Sequence, residues 1–176
     1  DILRVLELKR DYPAIKMVLV GVSEGWRVAD RIAASGVPVI ASALNDLPAT
    51  FELLGATQSN IGRMKDAGVK VSIGMIDDRD SHQLRYTTQY AGNLVSLQKV
   101  PRATGLTWDE AFAAISSGPA EAMGMGDKLG SLKAGRVGDV VVWDGDPLEL
   151  SSAPVSVYID GVEQPLANRQ ARLRDR

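Results

Sequence analysis

The sequence contains no cysteine and a single histidine, His82, in 176 residues. The absence of cysteine excludes disulfides, thiol nucleophiles and cysteine-ligated zinc, but it does not specify a compartment. Because a zinc site usually takes three or four histidine, cysteine or carboxylate ligands, this chain alone cannot build a histidine-rich one. Lysine and arginine number 20 against 22 aspartate and glutamate, so the chain lacks the positive field of a nucleic-acid-binding protein. We therefore predict no nucleic-acid partner.

Long apolar runs are also missing. No stretch approaches the roughly 20 apolar residues that cross a bilayer. Residues 1–10 carry charges throughout and lack the uncharged apolar centre of a signal peptide. We expect a soluble chain with no membrane partner and an unspecified compartment, and any signal peptide would precede Asp1.

The first 126 residues alternate between strand and helix patterns. Apolar runs of strand length occupy residues 15–20, 37–40 and 69–73. Helical patterns occupy residues 1–10, 26–35, 59–67, 84–97 and 107–116. Three successive strand-to-helix units favour parallel strands joined by right-handed crossovers. Beyond residue 127 the pattern changes to strands and turns, with strands at 139–143 and 155–159, so we predict an α/β fold in two parts, 1–126 and 127–176.

A G-x-S-x-G motif, Gly21 to Gly25, lies directly after a predicted strand and before a helix. This is the context of a nucleophile elbow, in which a serine attacks a carbonyl carbon. The mechanism needs a histidine within hydrogen-bond reach of Ser23, and His82 is the sole candidate. We favour the simpler interpretation that the glycines permit a tight strand-to-helix turn. A serine hydrolase using Ser23 stays as an alternative function.

An acidic run, DDRDSH at residues 77–82, follows the third predicted strand. Proteins of the α/β class place their chemistry at the carboxyl ends of parallel strands. A carboxylate there can bind a metal or accept a proton from an attacking water. The alternative is a solvated loop in which Arg79 partly neutralises the three acids. The residues alone leave both interpretations open, and a lone histidine such as His82 is more often a surface residue than a ligand.

The most specific stretch of the sequence lies between Pro119 and Val162. Pro119-Ala120-Glu121 with Met123-Gly124 leads into GDKLGSLKAGRVGDVVVWDGDPLELSSAPVSVYIDGVE. This resembles the C-terminal signature of the amidohydrolase superfamily, in particular its imidazolonepropionase-like and related branches. There, an N-P-A-x-x-L/M-G helix precedes I-G-S-L-x-x-G-K-x-A-D-L-V-V-W-D-G-D-P-L. Upstream, LVGVSEGWRVADRIAASGVPVI and AGVKVSIG also resemble later barrel elements of that family.

The resemblance implies a (β/α)8 barrel that holds one or two divalent metals, often zinc, which activate water to attack an amide, cyclic amide or related C–N bond. A complete TIM barrel needs about 250 residues. We therefore expect the second half of a TIM-type (β/α)8 barrel followed by β-strands of a composite β-sandwich. Most metal ligands would lie in the missing N-terminal half of a full-length parent enzyme. This chain alone is expected to be inactive, and whether it holds a metal is left open.

Two ligand positions of the family fall within this chain, and both depart from the family pattern. In the family, strand six often ends in a histidine that binds metal. At the corresponding position this chain reads Gly-Val-Ser-Glu, residues 21–24, without a histidine. At the catalytic aspartate of strand eight, an ungapped match places Ile76, and a shift by one places Asp77. The resemblance implies that Asp77 is a metal ligand and a catalytic group, accepting a proton from the attacking water and relaying it to the leaving nitrogen. Asp80 is the second choice, and with His82 it matches an Asp-Ser-His run of some members.

The predicted function is therefore that of the C-terminal part of a metal-dependent amidohydrolase acting on a small-molecule substrate. Half a barrel exposes strand edges and apolar helix faces. We expect it to bind the missing N-terminal half or to form a homo-oligomer. A non-catalytic assembly or binding protein with a degenerate site is the remaining alternative. The sequence specifies neither the substrate nor which of Asp77, Asp78 and Asp80 occupies the aspartate position.

Overall fold

The computed structural model of the chain describes residues 1–43, 45–76, 82–167 and 169–174. Its helices are α1 (Ile2–Asp11), α2 (Ala29–Ser35), α3 (Asn60–Asp66), α4 (Thr87–Leu97), α5 (Trp108–Ile115), α6 (Ser117–Ala122) and α7 (Arg169–Arg174). Its strands are β1 (Leu19–Val20), β2 (Val39–Ala41), β3 (Val71–Ile73), β4 (Val140–Trp143), β5 (Pro154–Ile159) and β6 (Val162–Gln164). Short 3-10 turns occupy Gly25–Val28, Phe51–Leu53 and Leu84–Tyr86. None of the described helices has the length and apolar character needed to cross a membrane.

The first three strands form a parallel sheet in the order β1-β2-β3, as the alternating pattern predicts. The register pairs Leu19 with Val39 and Val39 with Val71, and all three side chains are buried. They share a hydrophobic core with Ile32 of α2 and Met64 of α3. One face of the sheet is therefore covered by the helices that connect its strands.

The parallel strands are shorter than the apolar runs that predict them. Within the described residues, β1 covers two residues and pairs on one side, with β2. After the strand, Gly21 N donates to Ile40 O at 2.9 Å and extends this contact by one residue. Helix α2 ends as predicted at Gly36, whose φ of 67° is left-handed and costs glycine little strain.

Helix α5 begins with the capping box that its sequence predicts. The Thr107 hydroxyl accepts a hydrogen bond from Glu110 N at 3.3 Å, and the Glu110 carboxylate accepts one from Thr107 N at 2.9 Å. The preceding turn lies against α4, since Leu106 N donates to Leu94 O at 3.0 Å. A Cβ on Gly105 would overlap that same carbonyl oxygen, so only glycine allows this close approach.

The last three strands form a separate antiparallel sheet in the order β4-β5-β6. Strand β6 is missing from the sequence prediction because it is three residues long and has one apolar side chain. It is joined to β5 by Asp160 and Gly161, with φ values of 51° and 76°. Positive φ at both central residues is the geometry of a two-residue hairpin, and Asp-Gly is a preferred pair for it.

The segment after β4 attaches the antiparallel sheet to the helices. The Asp146 carboxylate accepts hydrogen bonds from Trp108 Nε1 at 2.9 and 3.0 Å. Leu148 is buried in the core that lines the parallel sheet. Its carbonyl oxygen lies so close to Gly92 of α4 that a Cβ there would overlap it. The segment after β4 therefore packs against helices α4 and α5, which links the antiparallel sheet to the helices that cover the parallel sheet.

Candidate active site

The carboxyl ends of β1, β2 and β3 lie side by side at one edge of the parallel sheet, where α/β proteins carry their chemistry. Ser23 follows β1, Asn45 follows β2 and Gly74 follows β3. Asn45 Nδ2 donates a hydrogen bond to Ser23 Oγ at 2.8 Å, and both side chains are half-buried. This bond joins the first two strand-to-helix loops.

The loop after β1 is held in a tight, left-handed turn. Gly21 and Val22 have φ values of 93° and 52°. Asn60, the first residue of α3, is 3% exposed and fixes the turn with both ends of its amide. Its Nδ2 donates to Val22 O at 2.9 Å, and its Oδ1 accepts from Trp26 N at 3.0 Å. The geometry agrees with the interpretation of the G-x-S-x-G glycines as turn formers.

The Glu24 carboxylate connects the loop after β1 to the loop after β2. Its Oε1 accepts a short hydrogen bond from Gly55 N at 2.5 Å, and its Oε2 accepts one from Arg27 Nη1 at 3.1 Å. Trp26 Nε1 donates to the carbonyl oxygen of the same Gly55 at 2.8 Å. The loop that follows β2 is thus tied to the loop that follows β1 at both Asn45 and Gly55.

The serine hydrolase alternative requires a histidine beside Ser23, and the described residues do not provide one. His82 is exposed, and its Nε2 lies 3.0 Å from Nε2 of the neighbouring Gln83. The hydroxyl of Ser23 is instead bonded to Asn45. In the described part of the chain, no hydrogen bond joins Ser23 to His82, so this geometry does not support the alternative.

The predicted carboxylates Asp77, Asp78 and Asp80 lie outside the described residues, and their roles stay predictions. The last described residue before them is Ile76, which is half-buried. Gly74 lies between it and β2, since a Cβ there would be 2.6 Å from Ile40 Cγ2 and 3.2 Å from Ile76 Cγ1. A larger residue than glycine would displace the chain as it leaves β3.

The described residues do not fit a metal site by themselves. In the ranges 1–43, 45–76, 82–167 and 169–174, no three histidine, cysteine or carboxylate side chains are grouped as metal ligands. Glu24 is engaged as above, and Asp46 Oδ2 accepts a hydrogen bond from Gln58 at 2.8 Å. A backbone N–H bond, followed by the Thr50 hydroxyl, holds the pKa of Glu52 below its usual value. Each of these carboxylates therefore already has hydrogen-bond donors within the chain.

Among the cavities that the described residues line, two lie at opposite edges of the parallel sheet. One of about 570 Å³ lies at the amino edge, between Met17, Val37 and helix α6. The other, of about 530 Å³, lies at the carboxyl edge. Its lining includes Val22, Ser23, Glu24, Arg27, Glu52 and Leu53. Both have the volume of small-molecule sites, but the position at the carboxyl ends of the strands makes the second the candidate substrate cavity.

Sequence reasoning missed Asn45 as a site residue. It follows β2 as Ser23 follows β1, so a polar residue after a buried strand was an available signal. The loop from β2 to α3 is long and contains several polar side chains, and the pattern alone does not show which one reaches Ser23. The hydrogen bond between the two side chains supplies that information.

Comparison with known proteins identifies the family. The model of the amidohydrolase family matches residues 16–167. The chain is 31% identical over 127 residues to the imidazolonepropionase of Bacillus velezensis, which covers 72% of this chain and 27% of that protein. It is also 50% identical over 60 residues to amidohydrolase tasK of Hapsidospora irregularis, covering 34% of this chain and 6% of that protein.

Solved structures show the same fold. An amidohydrolase from Thermotoga maritima superposes with a TM-score of 0.77 at 24% identity, covering 92% of this chain and 40% of that one. Guanine deaminase of E. coli gives a TM-score of 0.57 at 20% identity, covering 81% and 37%. The chain thus spans less than half the length of these relatives, and the predicted partial barrel with a separate antiparallel sheet is confirmed. Because the family match extends over most of the chain, the chain belongs to the amidohydrolase family.

Proposed function

We propose that this chain is the C-terminal part of an enzyme that hydrolyses the C–N bond of an amide or cyclic amide. The observation that carries the proposal is the family match over residues 16–167. The similarity to imidazolonepropionases and to an amidohydrolase agrees with it. The candidate cavity at the carboxyl edge of the parallel strands is the expected location for a small-molecule substrate.

In this proposal, the residue of this chain that takes part in the hydrolysis is Asp77. Water attacks the carbonyl carbon, the C–N bond breaks, and the leaving nitrogen needs a proton. We assign to Asp77 the acceptance of the water proton and its delivery to that nitrogen. A divalent metal, zinc in this proposal, would supply Lewis-acid activation when bound. Its ligands would be Asp77 and residues of the barrel outside this chain, and Asp80 and His82 are the further candidates for catalytic groups.

The proposal includes a division of the chain into barrel and sandwich parts. Residues 1–126 would belong to the barrel and 127–176 to the sandwich. No strand pairing joins the two sheets among the described residues. Strands β1 and β3 each pair on one side only within the described part of the chain. The rest of the barrel, or a second copy of the chain, would supply the missing neighbours.

The experiment is an assay of the full-length protein that contains this chain. Release of amine is measured with N-acyl amino acids, dipeptides and cyclic amides, before and after treatment with a chelator. The proposal expects hydrolysis of at least one substrate, loss of activity after chelation, and recovery when zinc is added. Metal content by mass spectrometry on the same sample gives the stoichiometry.

The two alternatives give different results in this assay. A serine hydrolase would keep its activity after chelation and would be labelled at Ser23 by an active-site phosphonate. A non-catalytic assembly protein would hydrolyse none of the substrates. Either result would contradict the proposed function.

A further inference from the structure

Ser23 and Asn45 form a polar pair at the carboxyl edge that the proposed proton transfer does not use. Their single mutual hydrogen bond, 2.8 Å long, is the one that either side chain makes within the described residues. Among the described residues, no general base is hydrogen-bonded to Ser23. Ser23 lines the candidate cavity, and Asn45, which is not among the lining residues, is bonded to it. The role of Ser23 has to be sought in binding.

The pair has unused hydrogen-bonding capacity of both kinds. A serine hydroxyl offers one donor and two acceptor positions, and an asparagine amide offers two donors and a carbonyl oxygen. The bond from Asn45 Nδ2 to Ser23 Oγ uses one asparagine donor and one serine acceptor position. The Ser23 O–H and Asn45 Oδ1 are left for a ligand. The bond also polarises the Ser23 hydroxyl and strengthens it as a donor.

The two side chains are held in place by their loops. Asn60 fixes the turn before Ser23, and Glu24 ties the next residues to Gly55 in the loop of Asn45. A donor and an acceptor fixed side by side are complementary to one carboxamide, since a carboxamide presents a carbonyl oxygen and an N–H. Fixing them in advance lowers the entropy lost on binding.

The cavity beside Ser23 also has apolar lining, from Val22, Val28 and Leu53. A bare polar headgroup would leave this surface in contact with water. A carboxamide with an apolar neighbour would use both kinds of lining.

We propose that Ser23 and Asn45 bind a second carboxamide of the substrate, one that is not hydrolysed. The Ser23 hydroxyl donates to its carbonyl oxygen, and Asn45 Oδ1 accepts from its N–H. The substrate class is therefore a compound with two amides, such as an N-acetylated dipeptide with an apolar side chain. This inference rests on the proposed function and narrows its substrate.

The test compares two ligands on the full-length protein. One is an acetylated dipeptide, and the other is its analogue in which an ester oxygen replaces the N–H of the acetyl amide. The Kd of each ligand is measured by calorimetry, and kcat/KM is measured where hydrolysis occurs. An acceptor left without its N–H costs about 1–3 kcal/mol, so the wild-type protein should prefer the amide by roughly 5-fold to 150-fold.

Substitutions at Asn45 test whether the preference for the amide over the ester depends on the Ser23–Asn45 pair. Asn45→Ala should reduce the preference to less than about 3-fold, and Asn45→Asp, which keeps an acceptor oxygen, should retain most of it. Asn93→Ala, at an exposed position of α4, is the matched control and should leave the ratio unchanged. Unfolding curves of each variant show whether a change in ratio comes from misfolding.

Equal binding of the two ligands by the wild-type protein would overturn the inference, and so would a preference that survives Asn45→Ala. Failure of the proposed function has a different signature. In that case neither ligand is hydrolysed, while the ratio of the two Kd values still shows whether the pair recognises the second amide.

Discussion

Asn60 shows how a single side chain positions the candidate site. It is buried at the start of α3, yet both of its hydrogen bonds go to the backbone of the loop after β1. Without them, the Trp26 N–H would lose its partner in a partly buried place, and the Val22 carbonyl would keep only the hydrogen bond from Gly25 N. The geometry of Ser23 thus depends on a residue that is distant in sequence and does not line the cavity.

We predict that Asn60→Ala lowers the free energy of unfolding by about 1–3 kcal/mol, because the Trp26 N–H loses its partner and the Val22 carbonyl loses one of its two donors. Urea denaturation at neutral pH measures the change. Asn93→Ala removes the same side chain at an exposed position of α4 and should stay within about 0.5 kcal/mol of wild type. Equal effects of the two substitutions would refute this role of Asn60.

The capping box of α5 predicts a dependence of stability on pH. The Thr107 N–H donates to the Glu110 carboxylate and, with the Thr107 hydroxyl and Lys65, holds the pKa of Glu110 below its ordinary value of 4.5. A carboxyl with a lowered pKa in the folded state stabilises above its unfolded pKa, and this stabilisation is lost as the pH falls through the folded pKa.

Glu110→Gln should therefore lower the free energy of unfolding at about pH 7, by less than about 1 kcal/mol because the carboxylate is accessible to solvent. The difference from wild type should shrink as the pH is lowered from about 7 to about 3, because the stabilisation is lost as the pH falls through the folded pKa of Glu110. Denaturant titrations at both pH values test this. A difference that stays constant between them would show that the charge of Glu110 is not responsible.

At the scale of elements, the sequence predicted the order and type of most helices and strands, because apolar periodicity and turn residues act locally. Gly36 and the Thr107 capping box are found where the pattern placed them. Strand lengths were not predictable, since they depend on pairing with strands distant in sequence: β1 covers only the two residues that pair with Val39 and Ile40 of β2. Asn45 was missed because its partner, Ser23, lies in another loop, and a contact between loops leaves no local pattern. Asp77 stays a prediction.

The contact between α4 and the segment after β4 is a further feature that the sequence did not predict. It depends on Gly92, which faces the Leu148 carbonyl oxygen without space for a Cβ. Gly92→Ala should destabilise the chain by about 1–3 kcal/mol through overpacking, although alanine by itself favours a helix by about 1 kcal/mol.

The matched control is Ser96→Ala, at an exposed position of the same helix, which should be neutral or slightly stabilising. Thermal unfolding of both variants decides the point. A stabilised Gly92→Ala protein would mean that the segment after β4 is not packed against α4.

At the scale of the whole molecule, the chain corresponds to 40% of the solved Thermotoga maritima relative. In the part of the chain that the structure describes, β1 and β3 are the outer strands of the parallel sheet, and Val20 of β1 is an apolar side chain that is 61% exposed. Unpaired edges and exposed apolar side chains favour association.

We therefore expect the chain, expressed alone, to have a mass in light scattering above its own 18.8 kDa. Val20→Lys should shift the mass toward the monomer, because it places a charge on the exposed face of the sheet. Leu150→Lys, at a position that is 77% exposed in a turn, is the control and should change little. A wild-type chain that is monomeric at every concentration would rule out this association.

In the proposed function, Asp77 transfers a proton while the protein that contains this chain hydrolyses a C–N bond. The most direct test is kcat/KM for amide hydrolysis by the full-length protein, compared between Asp77→Asn and Asp78→Asn. Removal of a group that transfers a proton in the reaction costs about 100-fold or more. We expect such a loss for Asp77→Asn and a change of less than about 3-fold for Asp78→Asn. Wild-type activity in the Asp77→Asn protein would contradict the proposed role of Asp77.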